Sequence, residues 1–173
     1  MTQSTPAASA PAWFAYCPRC ATPMVTARVM DKDRRVCPSC RYVYFTDPKV
    51  GVGVAIVEDE KLLLVRRRMN PERGKWSLPA GYADQDEDPR ETAEREALEE
   101  TGLIVAVESL LDVFFNPPGQ GGASIFILYR ARRISGEPQA GDDAADAGFF
   151  ALDQLPELAF ASTHAAVARL LHG

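Results

Sequence analysis

A segment of 23 residues, from Gly81 to Leu103, constrains this chain more than any other part of it. Asp88 precedes Pro89 and is followed three positions later by Glu91, a pattern that is typical of a helix N-terminus. Gly102 is suited to the left-handed conformation in which many helices end. The segment therefore predicts a loop followed by one helix that ends at Gly102.

Three glutamates of this helix would share one side of it. At roughly 100° per residue, Glu96, Glu99 and Glu100 fall within about one third of the helix circumference. Carboxylates this close repel one another, so a positive group must compensate, and a hard divalent cation with oxygen ligands is the best candidate. The alternative is a solvated helix face, which is the usual meaning of a glutamate-rich run. The flanking glycines and the Arg95-Glu96 pair favour the metal site.

The spacing of these residues resembles the Nudix box, which is a glycine, five residues, a glutamate, seven residues, Arg-Glu, an apolar residue, any residue, Glu-Glu, any residue, a glycine and an aliphatic residue. Every fixed position is met in this chain, by Gly81, Glu87, Arg95, Glu96, Glu99, Glu100 and Gly102. Ala97 and Leu103 occupy the apolar positions. The resemblance implies an α/β fold, the α/β/α sandwich of Nudix hydrolases, and hydrolysis of a nucleoside diphosphate linked to another group.

The resemblance also implies the metal ligands. Mg²⁺ or Mn²⁺ would polarise phosphoryl oxygens and lower the pKa of an attacking water. Glu96 and Glu100, one helical turn apart, would bind this cation directly, and Glu99 would bind a second cation or share the first. The backbone carbonyl of Ala80, just before the box, would contribute another oxygen.

Other box residues would have supporting roles. We expect Arg95 to orient a neighbouring carboxylate. Glu87 lies outside the helix, where it would either bind a metal or hold the loop. The remaining face of the helix is expected to pack on the sheet through Ala93, Ala97, Leu98 and Thr101.

Four cysteines form two Cys-x-x-Cys pairs, with sixteen residues between the pairs: Cys17, Cys20, Cys37 and Cys40. This spacing is typical of a tetrahedral zinc site, and four thiolates would leave no open position, so the Zn²⁺ would be structural. Two disulfides are the alternative, but nothing in the sequence indicates secretion. We expect a zinc ribbon in which a strand from Val25 to Met30 leads into a charged turn, residues 31–35. A ribbon can bind nucleic acid, yet the net charge of −5 makes this partner improbable.

The rest of the chain alternates apolar runs with turns. Strands are expected at 50–57, 61–65, 105–115 and 123–132, and a final helix at 163–171. The expected organisation is a disordered tail at 1–12, the zinc ribbon at 13–46 and a Nudix domain at 47–173. No apolar stretch reaches the roughly 18–20 residues of a membrane span, so no membrane partner is expected and the cytoplasm is the default location.

Several residues outside the box are candidates for substrate handling. Arg66, Arg67 and Arg68 follow a predicted strand, and alternation places Arg66 and Arg68 outward, where guanidinium groups would meet a diphosphate. By resemblance to pyrophosphatases of sugar or dinucleotide diphosphates, Asp143 and Asp146 are candidates for a metal ligand or the catalytic base. Three aromatic residues either stack on a purine or belong to the core: Trp76, Phe115 and Phe160.

The combination of ribbon and box narrows the resemblance. Together with the segments 47–50, 76–81 and 158–162, it resembles the ribbon-bearing FAD and ADP-ribose pyrophosphatases of bacteria and plant plastids. These would release AMP and a phosphorylated product, and a homodimer is possible. The ribbon-bearing NADH pyrophosphatases are the alternative, although their Ser-Gln-Pro-Trp-Pro-Phe segment is missing here. A second alternative is a non-catalytic nucleotide sensor that binds DNA.

Overall fold

The computed structural model describes residues 14–116 and 125–172. The chain divides into two compact units, one ending at Asp47 and the other beginning at Pro48. The tail expected at 1–12 lies outside the described residues, and so do Trp13 at the start of the ribbon and the first two residues of the strand predicted at 123–132.

The N-terminal unit is a small antiparallel sheet with the order β1-β2-β3. The strands are β1 (Val25–Val29), β2 (Lys32–Val36) and β3 (Val43–Tyr44). The prediction of a charged turn at 31–35 was wrong, because the chain reverses at Met30 and Asp31 and the remaining residues form β2. The charged side chains do not prevent this, since Arg35 donates hydrogen bonds to the carbonyls of Phe14 and Met24.

The second unit is built on one mixed sheet with the main strand order β10-β5-β4-β9-β8. Its long strands are β4 (Val50–Glu58), β5 (Lys61–Arg67), β8 (Ile104–Phe115), β9 (Ile125–Ser135) and β10 (Ala144–Ala151). Strands β4 and β9 are parallel, and the other pairs are antiparallel. Two short strands extend it: β6 (Trp76–Ser77) pairs with β5, and β7 (Ala80–Tyr82) pairs with β4.

The helices α1 (Pro89–Thr101) and α2 (Ala161–His172) cover opposite faces of this sheet. Successive side chains of a strand point to opposite faces. Val54 and Leu63 accordingly pack in the cluster that contains α1 residues, whereas Ala55 and Leu62 pack in the cluster that contains α2 residues. The expected α/β/α sandwich is confirmed.

The structure differs from the predicted elements in two ways. Strand β10 was not predicted, because its residues include a glycine, an aspartate and four alanines without clear alternation of apolar and polar positions. Leu98 was expected to pack on the sheet but is 49% exposed. The buried stripe of α1 consists of Thr92, Ala93, Ala97 and Thr101, and Leu98 lies one position beyond it. Among the helices described, none is long and apolar enough to cross a membrane.

Candidate active site

Both ends of α1 are fixed by the residues that predicted them. The side chain of Asp88 accepts a hydrogen bond of 2.8 Å from the backbone N–H of Arg90. At the other end, Gly102 has a φ of 70° and donates its N–H to the carbonyl of Leu98. These caps set which helix positions face the sheet, and they place Glu96 and Glu100 beside strand β7.

Arg95 is the centre of a carboxylate cluster. Its guanidinium binds both oxygens of Glu87, at 2.7 and 2.9 Å. The same group donates to Glu96 at 2.7 Å and to Glu99 at 2.9 Å. Arg95 therefore holds three carboxylates in fixed positions, which is the orienting role expected of it.

Glu87 holds the loop that precedes α1. It accepts a hydrogen bond from the backbone N–H of Asp84, at 3.3 Å, in addition to the two from Arg95. These bonds, chiefly those from Arg95, lower the pKa of Glu87 to about 2. Of the two roles considered for Glu87, its contacts support the loop-holding one.

Gly81 makes room for Glu96. A Cβ atom at position 81 would lie 2.0 Å from an oxygen of the Glu96 carboxylate, far inside van der Waals contact. The side chain of Glu96 is only 13% exposed, and this burial raises its pKa, although Arg95 acts in the opposite direction. A glycine at the start of the box is thus a steric requirement for placing this glutamate.

Glu100 is a buried carboxylate whose pKa is raised. Burial raises its pKa to about 7; the N–H of Ala80, at 3.0 Å, opposes the rise, while the charges of Glu96 and Asp143 add to it. The contact with Ala80 is made by its N–H, whereas the predicted ligand atom is its carbonyl oxygen. Raised pKa values at Glu96 and Glu100 mean that these carboxylates lack a sufficient cationic partner within the protein.

The donor set at this end of α1 fits a hard divalent cation. The carboxylates of Glu96 and Glu100 lie beside Gly81 and Ala80, Glu99 lines the same cavity, and Mg²⁺ and Mn²⁺ prefer such oxygen ligands. Burial of the carboxylates with only one arginine among them leaves a negative charge that such a cation would neutralise. The residues present are therefore suited to the metal that the resemblance implied.

A cavity of about 540 Å³ opens beside these carboxylates. Its charged lining residues are Arg66, Arg67, Arg68, Arg95, Glu96, Glu99, Glu100, Asp142 and Asp143. The N-terminal residues of α2 and three aromatic residues, Tyr82, Phe126 and Phe160, complete much of the wall. The cavity therefore combines an acidic region with a basic one, which suits a substrate that carries phosphates between two organic groups.

Each of the three consecutive arginines is tied to the backbone by one hydrogen bond. Arg66 donates to Gly74 at 3.2 Å, Arg67 to Pro71 at 2.8 Å and Arg68 to Ala144 at 2.9 Å. These bonds direct the guanidinium groups along the cavity wall while leaving other N–H groups for a ligand.

The loop between β9 and β10 is attached to the C-terminus of α1. Gln139 donates its backbone N–H to the carbonyl of Thr101 at 2.9 Å, and Gly141 donates to that of Glu100 at 3.1 Å. The loop thereby satisfies helix carbonyls that would otherwise lack partners. It also brings Asp143 to the cavity, where the Asp143 carbonyl accepts a hydrogen bond from the N–H of Arg68.

Asp146 and Phe115 are not among the residues that line the cavity. The carboxylate of Asp146 accepts a hydrogen bond from the next backbone N–H in β10, at 2.9 Å. Phe115 is 72% exposed. Trp76 packs edge-on against Phe150 in the core beneath α2, so its contacts support the core role. Phe160 is the one of the three predicted aromatic candidates that lines the cavity.

The four cysteine sulfurs in the N-terminal unit lie within 4.8 Å of one another. The Cys17–Cys40 and Cys20–Cys37 sulfur pairs are each 3.5 Å apart, much longer than the roughly 2.05 Å of a disulfide. Four sulfurs at about 2.3 Å from one zinc ion would be roughly 3.8 Å apart. Hydrogen bonding to Thr22 lowers the pKa of Cys20 to about 6, which favours the thiolate that a metal binds. The group fits a tetrahedral metal site.

A family model described as the NUDIX domain matches residues 47–171. The chain belongs to this family. Its α1 helix, with the preceding loop, is the Nudix box.

Relatives of this Nudix hydrolase agree with the fold and differ in substrate. An ADP-ribose pyrophosphatase of Methanocaldococcus jannaschii is 43% identical over 121 residues, which cover 69% of this chain and 72% of that protein. A mitochondrial NAD(P)H pyrophosphatase of Homo sapiens is 35% identical over 96 residues, which cover 55% of this chain and 26% of that protein. A crystal structure of a Nudix hydrolase from Nitrosomonas europaea superposes with a TM-score of 0.81 at 28% identity, covering 91% of this chain and 93% of that one.

Arg67 is one residue of the Nudix cavity that sequence reasoning did not favour. Alternation along a strand favoured its neighbours, yet all three arginines line the cavity. The Arg67 guanidinium lies 4.8 Å from the centre of the Phe160 ring, and its charge lowers the pKa of Glu100. Arg67 is the last residue of β5, and its side chain donates to the carbonyl of Pro71 beyond the strand, so alternation along the strand does not predict its direction. A run of three arginines was the only signal in the sequence.

Proposed function

We propose that this Nudix hydrolase is a divalent-metal-dependent pyrophosphatase that cleaves a nucleoside diphosphate linked to another moiety, with ADP-ribose or FAD as the favoured substrate. The products are AMP and a phosphorylated remainder. The observation that carries the proposal is one cavity lined by the three box glutamates and by three consecutive arginines. The ADP-ribose pyrophosphatase relative supports the substrate class.

The residues have distinct roles in this proposal. Glu96 and Glu100, with Glu99 and the Ala80 carbonyl, hold Mg²⁺ or Mn²⁺. A cation held by these residues would polarise the phosphoryl group and would lower the pKa of a bound water. Arg95 keeps the glutamates in place through its hydrogen bonds.

The basic wall binds the substrate. Guanidinium groups of Arg66, Arg67 and Arg68 pair with diphosphate oxygens. Asp143 is the preferred candidate for the general base, because it lines the cavity, whereas the Asp146 carboxylate hydrogen-bonds within β10. Asp146 remains the second candidate, through a shift of the β10 bulge that it borders.

Hydrolysis of NADH is the second candidate function. It is favoured by the relative that is an NAD(P)H pyrophosphatase, although the match covers only 26% of that protein. A sensor without catalysis is less well supported, because a protein that only binds nucleotide has no need of all the box glutamates, and this chain retains them.

We also propose that the four cysteines bind one structural Zn²⁺. The sulfur distances support this assignment. Since four protein thiolates fill a tetrahedral shell, this ion would take no part in hydrolysis.

A substrate panel tests the function. The protein is incubated with ADP-ribose, FAD and NADH in the presence of Mg²⁺ or Mn²⁺, and AMP release is measured by chromatography. We expect AMP from ADP-ribose or FAD, at a higher kcat/KM than from NADH, and none without divalent cation. No AMP from any nucleotide would contradict the hydrolase, and retained nucleotide and DNA binding would then support the sensor.

A further inference from the structure

The N-terminus of α2 forms part of the cavity wall. Its first three residues, Ala161, Ser162 and Thr163, all line the cavity, and the preceding residue is Phe160. The first backbone N–H groups of any helix have no partner within the helix, and a polar side chain at the cap position usually satisfies one of them. A phenylalanine has no acceptor, so this helix lacks a side-chain cap.

Within 14–116 and 125–172, no group accepts a hydrogen bond from the backbone N–H groups of Ala161, Ser162 or Thr163. The first N–H of α2 that is satisfied belongs to His164, which donates to the carbonyl of Phe160 at 3.1 Å. Three donors and the positive end of the helix dipole therefore face a cavity of the kind that binds anions.

Thr163 provides an independent sign of a ligand. It is only 2% exposed, and its hydroxyl makes no hydrogen bond to any described residue. In the described parts of the chain, every side-chain oxygen that is fully enclosed has a hydrogen-bond partner. Since the Thr163 hydroxyl has none, it is not fully enclosed, and it faces the cavity that Thr163 lines. A hydroxyl in that position is ready to donate to an oxygen of a bound molecule.

Arg67 adds a full positive charge at the same place. Its guanidinium lies over the ring of Phe160, the residue from which α2 starts. Phe160 is itself held between backbone bonds, since the neighbouring N–H of Ala159 donates to the Trp76 carbonyl at 2.8 Å. The helix N-terminus, the free hydroxyl and the arginine are thus parts of one rigid arrangement.

We propose that the N-terminus of α2, the Thr163 hydroxyl and Arg67 together bind a phosphate group of the substrate. This inference rests on the proposed function for the identity of the substrate. The box carboxylates would then face one part of the diphosphate ester through the metal, while α2 holds phosphate oxygens directly. The arrangement gives the enzyme a metal-independent contact with its substrate.

The test is phosphate binding in the absence of Mg²⁺ and Mn²⁺. The zinc-loaded, full-length protein is titrated with inorganic phosphate, and the amide NMR signals of Ala161, Ser162 and Thr163 are followed. We expect these signals to shift with saturation. Thr163→Val, which keeps the shape and removes the hydroxyl, should weaken phosphate binding by about tenfold. Thr163→Ser keeps the hydroxyl and should retain the affinity, which separates a lost hydrogen bond from a folding defect.

The role of Arg67 is tested with a matched control substitution at Arg133. Arg67→Met should also weaken phosphate binding by about tenfold or more. Arg133 likewise lies over a phenylalanine, Phe149, at 5.8 Å, but it is not among the residues that line the cavity. Arg133→Met should leave phosphate binding unchanged.

Hydrolysis kinetics then connect the site to the substrate. Thr163→Val should raise the KM for ADP-ribose several-fold. Failure of phosphate to shift the α2 amides, or equal affinity in the Thr163→Val and wild-type proteins, would overturn the proposal. Phosphate binding with an unchanged KM would also contradict it, because the site would then hold free phosphate only. The phosphate titrations need no metal-driven turnover, so a failure of phosphate binding is distinct from a failure of the proposed hydrolysis.

Discussion

Arg95 donates hydrogen bonds to three of the four glutamates of the box, and the fourth, Glu100, is left without one. Glu87 receives two hydrogen bonds, and the pKa of its carboxyl falls to about 2. Glu100 receives none from Arg95, and burial raises the pKa of its carboxyl to about 7. Within one cluster, Glu87 is therefore ionised at neutral pH and holds the loop before α1, whereas Glu100 can be protonated and is suited to binding an exchangeable cation.

Glu100→Gln tests this division through both activity and stability. Loss of a proposed metal ligand should lower kcat by at least about 100-fold, more than the loss of an outer-shell partner typically costs. Near-wild-type turnover with Mg²⁺ would contradict the metal assignment.

Although Glu100→Gln should lower kcat, it should raise the stability of the metal-free protein at high pH. Because the pKa of the Glu100 carboxyl is raised in the folded protein to about 7, the folded state is favoured below the ordinary pKa and loses this advantage as the pH rises through 7. In metal-free protein at pH 8, Glu100→Gln should raise the Tm by several degrees. At pH 4.5 the two proteins should differ little. Thermal unfolding at both pH values, with and without Mg²⁺, measures this.

Glu87→Gln should act in the reverse direction. The lowered pKa of Glu87 stabilises the folded state above the ordinary carboxyl pKa, and this contribution is lost as the pH falls from about 4.5 toward 2. At pH 7 the substitution should lower the Tm by about 3–8 °C, since a hydrogen bond to a charged group contributes about 1.5–3 kcal/mol. The difference should disappear in unfolding curves near pH 2. An unchanged Tm at pH 7 would mean that Arg95 does not hold the loop through Glu87.

At the scale of elements, the site depends on how closely α1 approaches its neighbours. Strand β7 comes so near that only a glycine fits at position 81 against Glu96. On the other side, the loop before β10 binds the helix through Gly141, where a Cβ would lie 2.4 Å from the carbonyl oxygen of Glu99. These backbone contacts fix the helix position more firmly than side-chain packing alone would.

Gly81→Ala should therefore impair the metal site without unfolding the sheet. The added methyl group collides with the Glu96 carboxylate, so we expect a higher Mg²⁺ concentration for half-maximal activity and a lower kcat. Gly148→Ala is the matched control, since its Cβ would meet only the Phe150 ring at 3.8 Å, an ordinary contact. Both variants should keep the wild-type circular dichroism spectrum. Equal Mg²⁺ dependence in the two variants would show that Gly81 has no such role.

The sequence predicted local features well and long-range ones poorly. The caps of α1 and the separation of its carboxylates depend on neighbouring residues, so spacing alone indicated them. Arg67 lines the cavity together with Phe160, a residue far along the chain, and no local pattern reports this arrangement. For the same reason, the sequence did not predict that the first backbone N–H groups of α2 would lie at the cavity without partners. The significance of this helix end arises only when the fold places it on the wall that Arg67 shares.

At the scale of the whole molecule, two units with separate cores share one chain. The N-terminal unit has a small cluster of Cys17, Met24 and Cys37, whereas the Nudix domain has two larger clusters on the faces of its sheet. So small a core is rarely stable alone, and small domains commonly depend on a metal. The proposed zinc would supply the folding free energy that the few apolar contacts of the N-terminal unit do not provide.

Cys17→Ser tests this dependence. Wild-type protein should contain one zinc per chain by plasma mass spectrometry, and the variant should lose most of it. Limited proteolysis should then cut the variant within residues 14–47, because the metal-free unit opens. AMP release should persist, since the cavity lies in the Nudix domain. A zinc-free wild-type protein that resists proteolysis would contradict the assignment.

The single arginine among four glutamates also has a consequence for the order in which ligands arrive. Arg95 compensates only one of these carboxylate charges, and Arg67 is a second cation that acts on Glu100, so ionised glutamates leave that end of the cavity negative. An anionic substrate is repelled from that end until a divalent cation has bound. We therefore expect compulsory-order kinetics, in which productive substrate binding follows metal loading and its apparent affinity rises steeply with Mg²⁺ concentration.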